Sequence, residues 1–190
     1  AVGRQSAATG DYAQALGNVS AATGKGSLAV GHSATATGNR SIAIGSADID
    51  NATSTDPKQQ GTDYQTKDQT LSQGKDSIAI GAAAKATQDN TLAVGAHANA
   101  GGKDSTAMGY SSSATGSDSF ALGRQANASA NNAFAMGASS EASGENAYAM
   151  GSQSQATGKN AFAMGGESKA LGENALAVGG LSLAKEKNSI

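Results

Sequence analysis

Large apolar residues recur along this chain in pairs that flank one alanine and precede a glycine. Segments 42–45 (Ile-Ala-Ile-Gly) and 134–137 (Phe-Ala-Met-Gly) are two examples, and within each uninterrupted stretch the form returns every fourteen residues. An apolar period of two is typical of a β-strand, in which successive side chains point to opposite faces. The pattern therefore predicts short strands.

Glycine marks a shorter period inside this one. It recurs every seven residues from Gly3 to Gly45 and, with breaks at Gln88 and Ala130, from Gly74 to Gly179. A coiled coil is excluded, because each Gly in a helix costs about 1 kcal/mol relative to Ala. We interpret each heptad as a strand of about four or five residues plus a tight turn, where Gly and the recurrent Asn or Asp take up positive φ angles.

Alternate heptads differ, so that the full repeat has fourteen residues. In every second heptad the large positions hold small or polar residues, such as Thr35 and Thr37 or Glu141 and Ser143. Two heptads then form one coil of a parallel β-solenoid, whose coils stack about 4.8 Å apart. The predicted fold class is all-β.

The polar heptads indicate which residues lie inside the coil. If the large positions pointed inward, Lys85, Glu141 and Lys169 would be buried without partners, at a prohibitive free energy. The alternate positions hold Ala or Ser almost throughout in both heptads, and Ser72 is the one exception to Ala two positions before the glycine rungs. We therefore expect Ala and Ser to line the interior, with Ser hydroxyls bonded to nearby backbone groups.

Two outer faces follow from this arrangement. A continuous apolar stripe presents two large groups per coil, each worth about 1.5–3 kcal/mol when covered, and a stripe of that size predicts self-association. The alternative is that the stripe is the ordinary core of a monomer. The stripe, here called the apolar face, consists of Leu28, Val30, Ile42, Ile44, Ile78, Ile80, Leu92, Val94, Met108, Phe120, Leu122, Phe134, Met136, Tyr148, Met150, Phe162, Met164, Leu176 and Val178. The candidate ligand-facing surface, here called the polar face, consists of Lys85, Asn99, Asn127, Glu141, Gln155 and Lys169.

Composition and charge narrow the possible functions. Ala, Gly and Ser number 41, 26 and 24, whereas Leu, Ile, Val and Phe together number only 23, too few for a conventional core. The net charge of −2 offers no basic excess for a nucleic acid. The chain has no cysteine, its histidines at 32 and 97 are far apart, and no catalytic or phosphate-binding motif is present. The sequence thus nominates no enzyme, no cofactor and no metal site.

An insertion of 22 residues interrupts the heptads between Gly45 and Gly74. We expect residues 1–45 and 70–190 to form one roll, with residues 46–69 as a polar insertion that leaves from a turn. It is either a recognition element or a solvated segment of no specific role. Asp48, Asp50 and Asp56 could gather around Ca²⁺, although the spacing of an EF-hand is absent.

The repeat resembles that of a known family. The form Asn/Asp-Ser/Ala-large-Ala-large-Gly, seen at Asp76–Gly81 and Asn160–Gly165, is similar to the head repeat of trimeric autotransporter adhesins of the YadA type. The resemblance implies a left-handed parallel β-roll and a homotrimer of rolls packed side by side. It also implies a head on a stalk at the outer membrane surface of a Gram-negative bacterium.

The resemblance further implies a role in attachment. Heads of this family are virulence factors that bind host extracellular-matrix proteins such as collagen, or other cell surfaces. Both ends of the sequence cut through a repeat, so we expect a piece of a longer chain whose contact with the membrane is made only by anchor segments absent from this sequence. The alternative role is a structural spacer that displays a more distal binding domain.

Overall fold

The structure, a computed structural model, describes residues 1–47 and 68–190 as short β-strands joined by tight turns. No helix occurs within these described ranges. The strands are β1 (Ala7–Ala8), β2 (Gln14–Leu16), β3 (Ala21–Ala22), β4 (Leu28–Val30), β5 (Thr35–Ala36), β6 (Ile42–Ile44), β7 (Leu71–Ser72), β8 (Ile78–Ile80), β9 (Lys85–Ala86), β10 (Leu92–Val94), β11 (Asn99–Ala100), β12 (Thr106–Met108), β13 (Ser113–Ala114), β14 (Phe120–Leu122), β15 (Asn127–Ala128), β16 (Phe134–Met136), β17 (Glu141–Ala142), β18 (Tyr148–Met150), β19 (Gln155–Ala156), β20 (Phe162–Met164), β21 (Lys169–Ala170), β22 (Leu176–Val178) and β23 (Leu183–Ala184).

The first of two compact units, Ala1–His97, contains β1 to β10. Odd-numbered strands form one parallel sheet in the order β1-β3-β5-β7-β9, and even-numbered strands form another in the order β2-β4-β6-β8-β10. Consecutive strands therefore lie in different sheets, which is the topology of a β-solenoid. The strands on the two sides of residues 48–67 pair directly, with Thr35 opposite Leu71 and Ile42 opposite Ile78.

The second unit, Ala98–Ile190, contains β11 to β23 and has the same construction. Its odd-numbered strands run β11-β13-β15-β17-β19-β21-β23, and its even-numbered strands run β12-β14-β16-β18-β20-β22, all parallel within each sheet. Paired residues are fourteen positions apart in sequence, as in Phe120 opposite Phe134 and Ala135 opposite Ala149. Identical positions of the repeat thus form straight columns across each sheet. Each unit is an all-β parallel solenoid.

The strands are shorter than the four or five residues expected from the sequence. Even-numbered strands have three residues and odd-numbered strands two, because the turn uses the rest of each heptad. In the turn after β16, Ser139 has a φ of 55°, and the N–H of Ser140 donates to the carbonyl of Gly137 at 3.3 Å. The turn thus takes up four of the seven residues, from Gly137 to Ser140.

The interior of each unit is filled by small side chains, as predicted. Ala29, Ala43, Ala121 and Ala135 are fully buried, and the buried polar residues are all Ser or Thr. Many of the serine hydroxyls donate to the carbonyl three residues earlier, as Ser119 does to Gly116 at 2.6 Å. Burial therefore confirms that the Ala/Ser column faces inward and the large apolar column outward.

The glycine rungs are of two kinds. After each three-residue strand the glycine has a positive φ, such as 135° at Gly137, which few L-residues adopt. After the two-residue strands the φ of the rung is not positive. Both breaks in the ladder, Gln88 and Ala130, fall on rungs of this second kind. At the glycines of this kind a Cβ would clash with the backbone of the next coil, as it would at Gly144 with the carbonyl of Gly158.

The predicted positive φ angles of the recurrent Asn and Asp residues are confirmed. Asn146, Asn160, Asn174 and Asn188 have φ angles of 54–60°. The side-chain amides also form a ladder, in which each Nδ2 donates to the Oδ1 of the next asparagine at 3.0–3.2 Å. Asparagine therefore fits both the backbone conformation and the stacking of the turns.

Candidate functional site

The apolar face of the first unit lies on the outer side of the even-numbered strands. Its members pair in two columns, and all of them are half-buried or exposed in the single chain. Ile44 and Ile80 retain 37% and 38% exposure although each is paired within its sheet. The eight residues predicted in this unit are brought together, namely Leu28, Val30, Ile42, Ile44, Ile78, Ile80, Leu92 and Val94.

The apolar face of the second unit contains a column of stacked rings. Phe120 and Phe134 are nearly parallel, with centroids 5.0 Å apart and an interplanar angle of 7°. The rings of Phe134 and Tyr148, and those of Tyr148 and Phe162, follow at 5.8 Å. Offset aromatic pairs contribute about 0.5–1.5 kcal/mol beyond the area they bury. Stacking therefore packs the faces of neighbouring rings against one another along the column.

A second column runs beside the rings and is rich in methionine. Leu122 is opposite Met136, Met136 opposite Met150, and Met150 opposite Met164. Met164 and Tyr148 are 40% and 42% exposed. The remaining predicted members, Met108, Leu176 and Val178, lie on β12 and β22 of the same sheet. Flexible thioethers adapt to irregular surfaces, so this column can conform to whatever covers it.

Leu16 and Thr106 also belong to these faces but were not predicted from the sequence. Leu16 on β2 is 52% exposed and is paired with Val30. Thr106 on β12 is paired with Phe120 and is the small, polar member of the aromatic column. Leu16 stands one position before Gly17, so the heptad rule alone would have found it.

The polar face lies on the outer side of the odd-numbered strands. In the second unit Asn99, Asn127, Glu141, Gln155 and Lys169 form one column, with Ser113 between the first two. Lys85 has the same position on β9 of the first unit. Lys169 is exposed and the others are half-buried, so their polar groups reach solvent. The sequence placed these six residues on the opposite side from the apolar face, and the structure does the same.

Charged side chains concentrate on the turns that follow the odd-numbered strands. Arg40 and Asp76 form a bidentate ion pair, with Nε–Oδ1 and Nη2–Oδ2 distances of 2.6 Å. The hydrogen bond from Arg40 is the main cause that lowers the pKa of Asp76. In the second unit Lys159 contacts Glu145 and Lys187 contacts Glu173, both at 3.1 Å. These turns therefore carry charges of both signs rather than a field of one sign.

The described residues contain neither a cluster of metal ligands nor a membrane-spanning helix. Among residues 1–47 and 68–190 there is no cluster of three or more His, Asp or Glu side chains that could hold a metal ion. The calcium hypothesis for Asp48, Asp50 and Asp56 concerns residues outside those described. The part of the chain that the structure describes contains no helix that is long and apolar enough to cross a membrane.

Comparison with known proteins gives one family. A family model of the YadA head domain repeat matches most of the chain, at residues 22–47, 72–98, 100–126, 114–140, 142–168 and 170–190. A search of curated proteins gave no match. A crystal structure of the collagen-binding domain of the Yersinia adhesin YadA is similar, with 27% identity and a TM-score of 0.43. That match covers 61% of this chain and 65% of the other, less than two thirds of its length. On the family match, the chain belongs to the YadA head domain repeat family.

Proposed function

We propose that this chain is the head region of a Gram-negative trimeric autotransporter adhesin. In this proposal the chain forms a left-handed roll of fourteen-residue coils, and three rolls associate side by side through their apolar faces. The head attaches to host cells or extracellular-matrix proteins through multivalent contacts. The role is one of binding rather than catalysis, in keeping with the adhesin family to which the chain belongs.

The observation that carries the proposal is the outward position of the large apolar residues. Ala and Ser fill the interior, so Phe134, Ile80 and their neighbours are only partly covered within their own unit. Contiguous apolar surface of this extent marks an association site. The three-fold symmetry itself comes from the family, because the face alone requires only a partner of matching shape.

The assembly is tested by one charge placed on either face. Phe134→Asp would bring three carboxylates together in an apolar interface, where unpaired charge is strongly unfavourable. Gln155→Asp introduces the same side chain on the polar face of the same unit. We expect light scattering to give a trimer mass for the wild type and for Gln155→Asp, and a monomer mass for Phe134→Asp. A monomeric wild type, or a trimeric Phe134→Asp variant, would refute the proposed interface.

Attachment is assigned to the polar face. In a trimer each such face occurs three times, so weak single contacts combine into strong binding. Matrix proteins such as collagen are the first ligands to test, since the resemblance implies them. The head would stand at the outer surface of the cell, joined to the membrane through stalk and anchor segments.

A surface variant separates adhesion from a spacer role. Asn127, Glu141, Gln155 and Lys169 can all be changed to Ser, which the chain already uses in this column at Ser113. The control changes Glu145 and Lys159 to Ser on the neighbouring turns. With bacteria that display the chain, we expect the first variant to lose binding to immobilised collagen or host cells and the control to keep it. If the wild type adheres and both variants adhere equally well, the spacer role is favoured.

A further inference from the structure

We infer that the coil beginning at Gly45 is built to carry an inserted segment. In this reading Ser46, Ala47 and Thr70 complete a coil of ordinary geometry, and residues 48–69 are additional to it. Of these, Gln69 accepts a hydrogen bond from the hydroxyl of Thr35 at 3.3 Å, which is not needed to close the coil. Three sets of contacts support this inference: the backbone ladder before the insertion, a buried threonine after it, and an ion pair at the opposite edge of the coil. It does not depend on the proposed trimer.

The backbone ladder is intact up to Ala47. The N–H of Ala47 donates to the carbonyl of His32 at 3.1 Å, and the carbonyl of Ser46 accepts from the N–H of Ala83 at 3.1 Å. Ser33 and Ala83 occupy the equivalent position of the adjacent coils with φ angles of 58° and 54°, whereas Ala47 has no positive φ. The chain thus keeps its hydrogen bonds with both neighbouring coils and departs from the common turn only at the backbone of Ala47.

Thr70 restores the coil on the other side. Its carbonyl accepts from the N–H of Thr35 at 2.8 Å, and its side chain is fully buried. The hydroxyl lies 2.7 Å from the carbonyl of Gly81 and 3.1 Å from that of Ser46. In an uninterrupted turn the hydroxyl bonds the carbonyl three residues earlier, as Thr91 does to Gln88 at 2.7 Å. Through these two contacts the Thr70 hydroxyl links Ser46, which precedes the insertion, to Gly81 of the next coil.

The far edge of the same coil is held by the Arg40–Asp76 ion pair. These residues lie on consecutive turns of the charged edge, one before and one after the insertion, and bond through two parallel contacts of 2.6 Å. Bidentate Arg–carboxylate pairs are the more directional kind of ion pair. The strands between the two edges are paired through Ile42 and Ile78. The interrupted coil thus contacts its neighbours at both edges, as well as through its strands.

The sequence arithmetic agrees with this reading. Removing residues 48–69 joins Ala47 to Thr70 and restores a spacing of seven between the rungs at 45 and 74. Ala47 would then need the left-handed conformation, which Ala83 already adopts at the equivalent position. The inserted segment can therefore change in sequence or length with little effect on the roll.

Deletion of residues 48–69 is the first test. We expect the shortened chain to fold with the same β-type circular dichroism and with a melting temperature within about 4 °C of the wild type. Failure to fold, or a larger fall in melting temperature, would overturn the inference, because the segment would then be part of the fold.

A pair of hydroxyl deletions tests the role of Thr70 separately. Val keeps the shape of Thr and removes the hydroxyl, so Thr70→Val and Thr91→Val are matched changes of two buried threonines. Each should lower the melting temperature of the full chain by about 3–8 °C. In the shortened chain Thr70 stands three residues after Gly45, so its hydroxyl can make the ordinary bond of an uninterrupted turn, and we expect Thr70→Val to lower the melting temperature there as much as Thr91→Val does. A Thr70→Val variant of the full chain that melts at the wild-type temperature, while Thr91→Val does not, would refute the joining role.

Discussion

Replacing Ala135 by leucine should destabilise the roll far more than the same change a few residues away. Ala135 is fully buried and faces Ala121 and Ala149 in the neighbouring coils, which are also fully buried. Leucine adds three carbon atoms to a space lined by methyl groups and backbone. Overpacking of a core usually costs about 1–3 kcal/mol. We expect the upper part of that range, about 2–3 kcal/mol, because no long side chain nearby can move aside.

The matched control is Ala138→Leu, on the exposed turn that follows the same strand. A surface change of this kind stays within about 0.5 kcal/mol. In a chain of this size 1 kcal/mol corresponds to about 2–4 °C, so we expect a fall in melting temperature of about 4–12 °C for Ala135→Leu and under about 2 °C for the control. Thermal melts followed by circular dichroism at one fixed protein concentration measure both, since association makes the midpoint depend on concentration. Equal midpoints would refute the inward position of the alanine column.

Two further outcomes follow from the backbone and the ion pair. Gly137→Ala should cost about 1–3 kcal/mol in a denaturant titration, because its φ of 135° strains an L-residue, whereas Ala130→Gly, at a rung without positive φ, should cost under about 1 kcal/mol; equal losses would contradict the distinction. The depressed pKa of Asp76, due to Arg40, means that the ion pair stabilises fully above about pH 5 and progressively less as the pH falls below about 4. Asp76→Asn should lack this part of the acid sensitivity, and identical acid profiles for both proteins would contradict it.

The facing of the strands could be predicted because the two heptads constrain each other. The apolar heptads alone would allow Phe134 or Ile80 to point inward. Lys85 and Glu141 share that register in the polar heptads, and a charge cannot be buried there without a partner. The structure places all of these residues on the outside. Two unlike heptads therefore constrain the facing of the strands more than any single heptad does.

The lengths of the strands and the two kinds of glycine could not be predicted in the same way. Apart from Gln88 and Ala130, every rung of the ladder is glycine in the sequence, and only the φ angles separate Gly137 from the rungs after the short strands. The breaks at Gln88 and Ala130 were the available signal, since both fall in the same heptad type. From the sequence alone, nothing links the shared heptad type of these two breaks to a backbone φ angle.

The contacts around the insertion could not be predicted from the sequence, for a different reason. Thr70 stands in a column that otherwise holds Ala or Ser, apart from Thr91, so its identity was visible as an exception. Its partner, the carbonyl of Gly81, belongs to the next coil and carries no side-chain signature. Arg40 and Asp76 are likewise neighbours only after the insertion has been removed from the count. Predicting which residues pair across the insertion requires the register of the strands on its two sides, which only the structure gives.

The small interior explains why the outer faces matter so much in this fold. A buried methyl group contributes about 0.8 kcal/mol, whereas a covered Leu, Ile or Phe contributes about 1.5–3 kcal/mol. By placing Ala and Ser inside, the sequence leaves its largest hydrophobic contributions only partly realised within the single chain, where Ile80 keeps 38% exposure and Phe134 is half-buried. Turn hydrogen bonds, stacked rings and the asparagine ladder stabilise neighbouring coils but remove only part of that apolar area from water. In the proposed trimer, covering the apolar face would supply stability that the interior cannot, and folding would be coupled to association.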